Sequence, residues 1–175
     1  MLLCFYVLGR HYHSLGRQDF AALLFYRTIE GCLARRLEQR YPGLDTDRLD
    51  LSLLGDKDQV KQGYVDLTRR MGDESASLSK RLALMSSAIL LGSLGDELAV
   101  RCGLADAAGL LELRDLTRTR NKSVLAHGFE TVATSDTLAL ERSASGLLRA
   151  YWALHGDGND LDQLCAQLRF LRTDR

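Results

Sequence analysis

Apolar residues recur every three or four positions along most of this chain, which is the spacing of one face of an α-helix. Between Gln18 and Arg40 the repeat is carried by one set of positions: Phe25, Ile29, Cys32, Leu33 and Leu37. No stretch alternates apolar and polar residues over enough positions to indicate a β-strand. The pattern predicts an all-α fold, a bundle of six or seven helices.

The boundaries of these helices follow from turn and capping residues. Pro42 and Gly43 should end the helix that begins at Gln18, and residues 44–57 should form a loop with a short helical turn. An amphipathic helix is predicted at the N-terminus, and another from about Asp58 to Met71. One or two helices follow, divided near Gly92 and Gly95 and marked by Leu78, Leu82, Met85 and Ile89. The last three predicted helices run from Asp106 to about Ala126, from a cap at Ser135, and from a cap at Asn159.

Composition narrows the class of protein. The chain has 175 residues, 46% of them hydrophobic, so residues 1–175 are expected to form a single domain with a core of its own. It contains 23 basic and 23 acidic residues, which excludes a globally cationic coat for nucleic acid but leaves room for a local basic patch. The four cysteines are widely spaced, without a CxxC pair, as expected of reduced cysteines in a cytoplasmic protein.

One segment resembles a repeat. The string HYHSLGRQDFAALLFYRTIE has the turn glycine and flanking aromatic residues of a tetratricopeptide unit. Nothing similar recurs about 34 residues away, as a stacked solenoid would require. The segment therefore indicates an ordinary helical hairpin.

The strongest chemical signal lies between Arg114 and Gly128, within the string RDLTRTRNKSVLAHGF. Arg120 and His127 are seven residues apart, so on a helix both would point to the same side, about 10 Å apart along the axis. Both residues also fall on the apolar face of the predicted helix, where the pattern predicts burial or contact with a partner. Polar residues at such positions are expected at functional surfaces. The basic residues of the segment, set against the single acidic residue Asp115, are Arg114, Arg118, Arg120 and Lys122.

The pair Arg120-Asn121, followed after a short spacer by Ala126-His127-Gly128, resembles the ribonuclease motif of HEPN domains. That motif is an arginine, often followed by a polar residue, with a histidine after four to six intervening positions. Six positions intervene here. The string RNKSVLAHGF, with FYRTIE upstream, is similar to the effector domain of CRISPR-associated ribonucleases of type III systems.

The resemblance implies a fold, an activity and partners. It implies a HEPN-like helical domain, cleavage of single-stranded RNA, and a homodimer in which two copies of the motif form one cleft. Family members usually join this domain to an N-terminal CARF sensor for cyclic oligoadenylates. Residues 1–175 carry no Rossmann-like pattern, so this chain is expected to be the C-terminal part of a longer sensor–effector protein or to lack ligand gating.

The residue types suit RNA cleavage in which the ribose 2′-OH attacks the neighbouring phosphate. His127 can move protons near neutral pH, and Arg120 can stabilise charge on the phosphate through its planar fork. Asn121 can hold a phosphate oxygen, the 2′-OH or the histidine ring. No residues show a metal-ligand spacing, so neither a metal nor another cofactor is expected.

Further residues are assigned around this motif. Arg114, Arg118 and Lys122 are candidates for RNA contacts, whereas Glu30 and Arg27 are candidates for orienting Arg120. Each assignment has a structural alternative. His127-Gly128 also suits a helix end, Arg114 and Arg118 also suit a solvated face or ion pairs with Glu112 and Asp115, and Glu30 with Arg27 also suits a plain ion pair. The other histidines read as surface residues or a helix end: His11, His13 and His155.

Three functions remain open on the sequence. The first is a metal-independent HEPN endoribonuclease, acting in CRISPR or related defence. The second is an inactive HEPN module that binds a partner, as in toxin–antitoxin pairs. The third is a tetratricopeptide-like scaffold. The intact Arg120, Asn121 and His127 favour the first function over the second, and the missing repeat disfavours the third.

Overall fold

The computed structural model describes residues 1–121, 131–156 and 158–168, with only the backbone described at 119–121. These residues form helices and contain no β-strand, so the all-α prediction is confirmed. The described helices are α1 (Leu2–Ser14), α2 (Gln18–Arg40), α3 (Lys57–Arg70), α4 (Leu84–Ser93), α5 (Glu97–Arg101), α6 (Ala107–Asn121), α7 (Thr134–His155) and α8 (Leu161–Gln167), with a 3-10 turn at Leu51–Leu53.

The chain divides into two compact units. We call Met1–Ile29 with Leu116–Arg175 the terminal unit, and Glu30–Asp115 the middle unit. The boundaries between them fall within α2 and α6. The prediction of a single domain over 1–175 stays a prediction.

In the terminal unit, α1 packs on the first half of α2 and on α7. The ring of Phe25 is fully buried against Tyr6 and Gly9 of α1, and a Cβ at Gly9 would lie 2.7 Å from that ring. The hairpin turn between α1 and α2 passes through Gly16, whose φ of 72° is rarely adopted by other residues. The sequence prediction of a helical hairpin is confirmed here.

Polar contacts also join α1 to α7 in this unit. Arg10 Nε lies 3.3 Å and His13 Nδ1 lies 3.7 Å from the carboxylate of Glu141. The side chain of His13 is only 19% exposed. The prediction of a surface position for His13 is therefore wrong, because α7 covers that side of α1.

The core of the middle unit is formed mainly by leucines with almost no exposed surface, and Cys32 of α2 is buried among the core residues as well. The leucines are Leu33, Leu37, Leu67, Leu84, Leu90, Leu91, Leu98 and Leu110. Gly92 allows α4 to approach the chain after α5, because a Cβ there would collide with the carbonyl oxygen of Leu104. The predicted division near Gly95 is confirmed, since α4 ends at Ser93 and Gly95 has a φ of 60°.

Three boundary predictions are corrected. Leu78 and Leu82 precede α4, because the Leu82 N–H donates to the Thr46 carbonyl and the Ala83 N–H donates to Ser86 Oγ, which fixes the first turn at Leu84. Ser135 lies inside α7, whose cap is Ala133. Asn159 does not cap α8; Asp160 does, by accepting from the Asp162 N–H at 2.8 Å.

Candidate active site

Helix α6 carries the described part of the predicted motif. Its start is fixed by Asp106, whose carboxylate accepts from the Gly109 N–H at 3.0 Å. Leu110, Leu113 and Thr117 are buried, so the apolar side of the helix faces the interior as the periodicity predicted. The helix continues to Asn121, which is as far as the structure describes it.

The basic residues of α6 differ in their surroundings. Arg118 is exposed, as a residue that contacts RNA needs to be. Arg114 is half-buried, and its Nε lies 3.8 Å from the carboxylate of Asp115. Arg114 thus pairs with the acidic residue named in the alternative reading, and its contact with RNA stays a prediction, as does that of Arg118.

The structure brings Arg120 and Asn121 onto one helix as its last two described positions. Lys122 and His127 lie outside the described residues. The arrangement of Arg120, Asn121 and His127 as one catalytic group therefore stays a prediction. The same holds for Lys122 as an RNA contact.

The two residues assigned to orient Arg120 both lie on α2. Arg27 is exposed and Glu30 is half-buried, three positions further along the helix. The boundary of the two compact units runs between them. Their positioning role stays a prediction.

A contact missed by the sequence analysis fixes the chain just after the motif. The carboxylate of Asp19, in the first turn of α2, accepts from the Val132 N–H at 3.2 Å. The side chain of Val132 is buried. Asp19 reads in the sequence as an ordinary first-turn acidic residue, and its partner is 113 positions away, so no local pattern reveals the contact.

A cavity of about 310 Å³ lies beside this contact. It is lined by the α1–α2 turn and by the chain that returns to it: Gly16, Arg17, Gln18, Asp19, Phe20, Thr131 and Val132. The ring of Phe20 stacks on Tyr12, with centroids 5.4 Å apart and planes at 25°. None of these residues belongs to the site predicted from the sequence.

Two of the cysteines, Cys32 and Cys102, have thiols of low reactivity. Burial raises the pKa of the Cys32 thiol to about 12 and that of the Cys102 thiol to about 11. A thiol with such a pKa is protonated at neutral pH and is a poor nucleophile. All four cysteines are free, as predicted.

No group of three or more His, Cys, Asp or Glu side chains in the described ranges is placed to hold a metal ion. Among the same residues, no helix is both long enough and apolar enough to span a membrane.

The described part of the chain is all-helical, and its arginine-rich helix α6 carries the Arg-Asn pair that begins the Arg-Asn…His motif. The family model for the Csm6 HEPN domain matches residues 5–151, which include the whole motif. The chain therefore belongs to the Csm6 HEPN domain family, which confirms the resemblance to HEPN domains that the motif indicated. This membership suggests a CRISPR-associated, ribonuclease-like role. No curated protein matches the chain.

The contact between Asp19 and Val132 yields a prediction on stability. Asp19→Ala should lower the free energy of unfolding by about 1–2 kcal/mol, because a partly buried N–H loses a charged acceptor. The Val132 amide should also exchange its hydrogen faster. Chemical denaturation and amide exchange measured by NMR check both effects.

A matched control is Asp58→Ala, which also removes an acidic residue from the first turn of a helix but leaves no buried N–H without its acceptor. Asp58 is 96% exposed and should have a smaller effect. Unchanged protection of the Val132 amide in Asp19→Ala would contradict the role given to this contact.

Proposed function

We propose that this chain is a metal-independent endoribonuclease that cleaves single-stranded RNA in CRISPR or related antiviral defence. The observation that carries the proposal is the family match over residues 5–151, within which Arg120, Asn121 and His127 are all present. We further propose a cytoplasmic location and one HEPN-like domain over 1–175. Activation by a cyclic oligoadenylate sensor outside this chain belongs to the same proposal.

The proposed reaction needs three tasks from the protein. The ribose 2′-OH attacks the adjacent phosphorus while His127 moves protons, which a group titrating near pH 7 does best. Arg120 stabilises the charge that develops on the phosphate oxygens and stays protonated throughout. Asn121 orients the 2′-OH, a phosphate oxygen or the histidine ring with its amide.

The proposal includes a homodimer, because one arginine and one histidine are few groups for this reaction. Two copies related by a two-fold axis would place two of each in a shared cleft. Light scattering or native mass spectrometry at micromolar protein should therefore give about twice the chain mass of 19.5 kDa. A strict monomer under all conditions would contradict the shared cleft.

The proposed function is tested by the requirements and the products of cleavage. Labelled single-stranded RNA incubated with the chain in excess EDTA should still be cut. The products should carry a 2′,3′-cyclic phosphate or 3′-phosphate and a 5′-hydroxyl, because the 2′-OH is the nucleophile. Mass spectrometry of the fragments identifies these ends.

Two substrates serve as controls in the same assay. A DNA strand and an RNA methylated at the 2′-oxygen should both resist cleavage, since neither offers a free 2′-OH. Cleavage of either strand, or activity that appears only with added metal, would overturn the proposed mechanism.

A further inference from the structure

The turn between α1 and α2 holds an aromatic pair in a fixed position. The Arg17 N–H donates to the Tyr12 carbonyl at 2.9 Å, which closes the hairpin and brings the end of α1 next to the start of α2. Tyr12 and Phe20 stack across this turn. Phe20 remains 42% exposed, so the pair leaves much of one ring accessible.

The cavity described above adjoins this ring. Phe20 and Arg17 line one side, whereas Thr131 and Val132 line another, and the bond from Val132 to Asp19 ties the two sides together. Its volume of about 310 Å³ is at the lower end of the range for sites that take small organic groups. Hydrogen bonds thus hold the lining residues of both sides close together.

The lining combines an accessible ring with an exposed arginine, which suits a flat group linked to a phosphate. An aromatic side chain can stack on any nucleobase, and an arginine can contact the phosphate attached to it. The Asp19 carboxylate in the same wall disfavours a bare phosphate inside the cavity, but it can accept from the N–H groups on the edge of a base.

We infer that this cavity, which we call the turn pocket, binds one base of a single-stranded RNA by stacking it on Phe20, with Arg17 on the neighbouring phosphate. The choice of RNA as ligand rests on the proposed function. Thr131 is four positions after His127 in the sequence, and four residues of chain reach at most about 14 Å. A base in the turn pocket would therefore belong to a nucleotide near the one that is cleaved.

Binding to an uncleavable strand tests the turn pocket without relying on catalysis. A fluorescein-labelled, 2′-O-methylated single-stranded RNA is titrated with the chain, and its anisotropy gives the Kd. Phe20→Ala should weaken binding on the order of tenfold, because the base loses the aromatic ring on which it stacks. Phe20→Tyr keeps the ring and should bind within about twofold of the unchanged chain.

Two further variants separate the pocket from general effects. Arg17→Ala removes an exposed side chain, and it should weaken binding several-fold with a shallower salt dependence. Leu53→Ala is the matched control, since Leu53 is 40% exposed but lies in the 3-10 turn of the middle unit. It should leave the Kd unchanged. Thermal denaturation shows whether each variant is folded.

Strands with a single abasic position locate the stacked base. The unchanged chain should bind one of these strands markedly more weakly than the others. Phe20→Ala should bind that strand no more weakly than the unchanged chain does, because removing the ring and removing the base abolish the same stacking interaction. Additive losses at every position would overturn the inference.

The other results also have fixed meanings. Equal Kd values for the unchanged chain, Phe20→Ala and Arg17→Ala overturn the inference, as does a Phe20→Ala variant that changes the oligomeric mass but not the Kd. If RNA is cleaved in EDTA while the Kd is insensitive to Phe20 and Arg17, the inference fails and the proposed function stands. If RNA binds through Phe20 but is never cleaved, the proposed function fails and the turn pocket stands.

Discussion

Replacing His127 by alanine should lower the rate of RNA cleavage on the order of 10²-fold or more, while the chain remains folded. The variant lacks the one group in the motif that can both accept and donate a proton near neutral pH. The affinity for an uncleavable strand should change much less, because the histidine contributes to proton transfer during the reaction rather than to binding of the substrate. Single-turnover cleavage and anisotropy titrations measure the two effects separately.

Arg120→Ala should cost a similar or larger factor in rate, because the guanidinium acts mainly on charge that develops in the transition state. Arg120→Lys should restore only part of the activity, since a point charge cannot reproduce the two parallel donors of the fork. Asn121→Ala should be milder than either. These three substitutions remove no apolar core volume, so the temperature of unfolding should stay close to that of the unchanged chain.

Arg81→Ala is a suitable control for the loss of an arginine. Arg81 is 80% exposed, forms an ion pair with Asp47, which is 74% exposed, and lies far from the motif in sequence. Its cleavage rate should match that of the unchanged chain. Equal cleavage rates for His127→Ala and the unchanged chain would contradict the catalytic role of His127 and favour the partner-binding HEPN module instead.

The second large effect concerns stability and a buried ion pair in the middle unit. Asp96→Ala should lower the free energy of unfolding by about 3–5 kcal/mol, because it leaves a guanidinium buried without its carboxylate. Arg36 Nε donates to both oxygens of Asp96 at 2.9 and 3.0 Å, and the two side chains are 9% and 2% exposed. Urea denaturation followed by circular dichroism measures the change.

Asp96 has a second partner that adds to this cost. One of its oxygens also accepts from the Leu98 N–H at 2.9 Å, which caps the short helix α5. A cap of this kind contributes about 1 kcal/mol. One carboxylate thus holds α5 to α2, and the cleavage activity of Asp96→Ala should fall only as far as the unfolded fraction rises.

Two comparison variants test the physical reason. Asp47→Ala breaks an ion pair of the same 2.9 Å length with Arg81 on the exposed surface and should cost less than about 1 kcal/mol. The double variant Arg36→Met with Asp96→Ala should be more stable than Asp96→Ala alone, since it removes the stranded charge. A double variant that is less stable than Asp96→Ala would contradict the explanation.

Several features of the fold follow from local sequence. The repeat that carries Phe25, Ile29, Leu33 and Leu37 predicts α2 and its buried face because a single helix accounts for the spacing. The end of α2 at Arg40 and the short turn at Leu51–Leu53 agree with the residues that predict them. The boundaries of α4, α7 and α8 do not, because the groups that fix them include a distant carbonyl at Thr46 and an aspartate next to the expected cap.

The motif and the family membership were also available from the sequence, because Arg120, Asn121 and His127 fall within ten residues of one another and need no distant partner to be noticed. The tertiary structure alone decided the rest. Arg36 meets Asp96 across 60 positions, and Asp19 meets Val132 across 113. Such contacts depend on how packed helices bring separate segments together, and no periodicity within one segment encodes them. For the same reason, Phe20 reads as one more apolar residue of α2 until the fold places it beside Arg17 and Thr131 at the edge of a cavity.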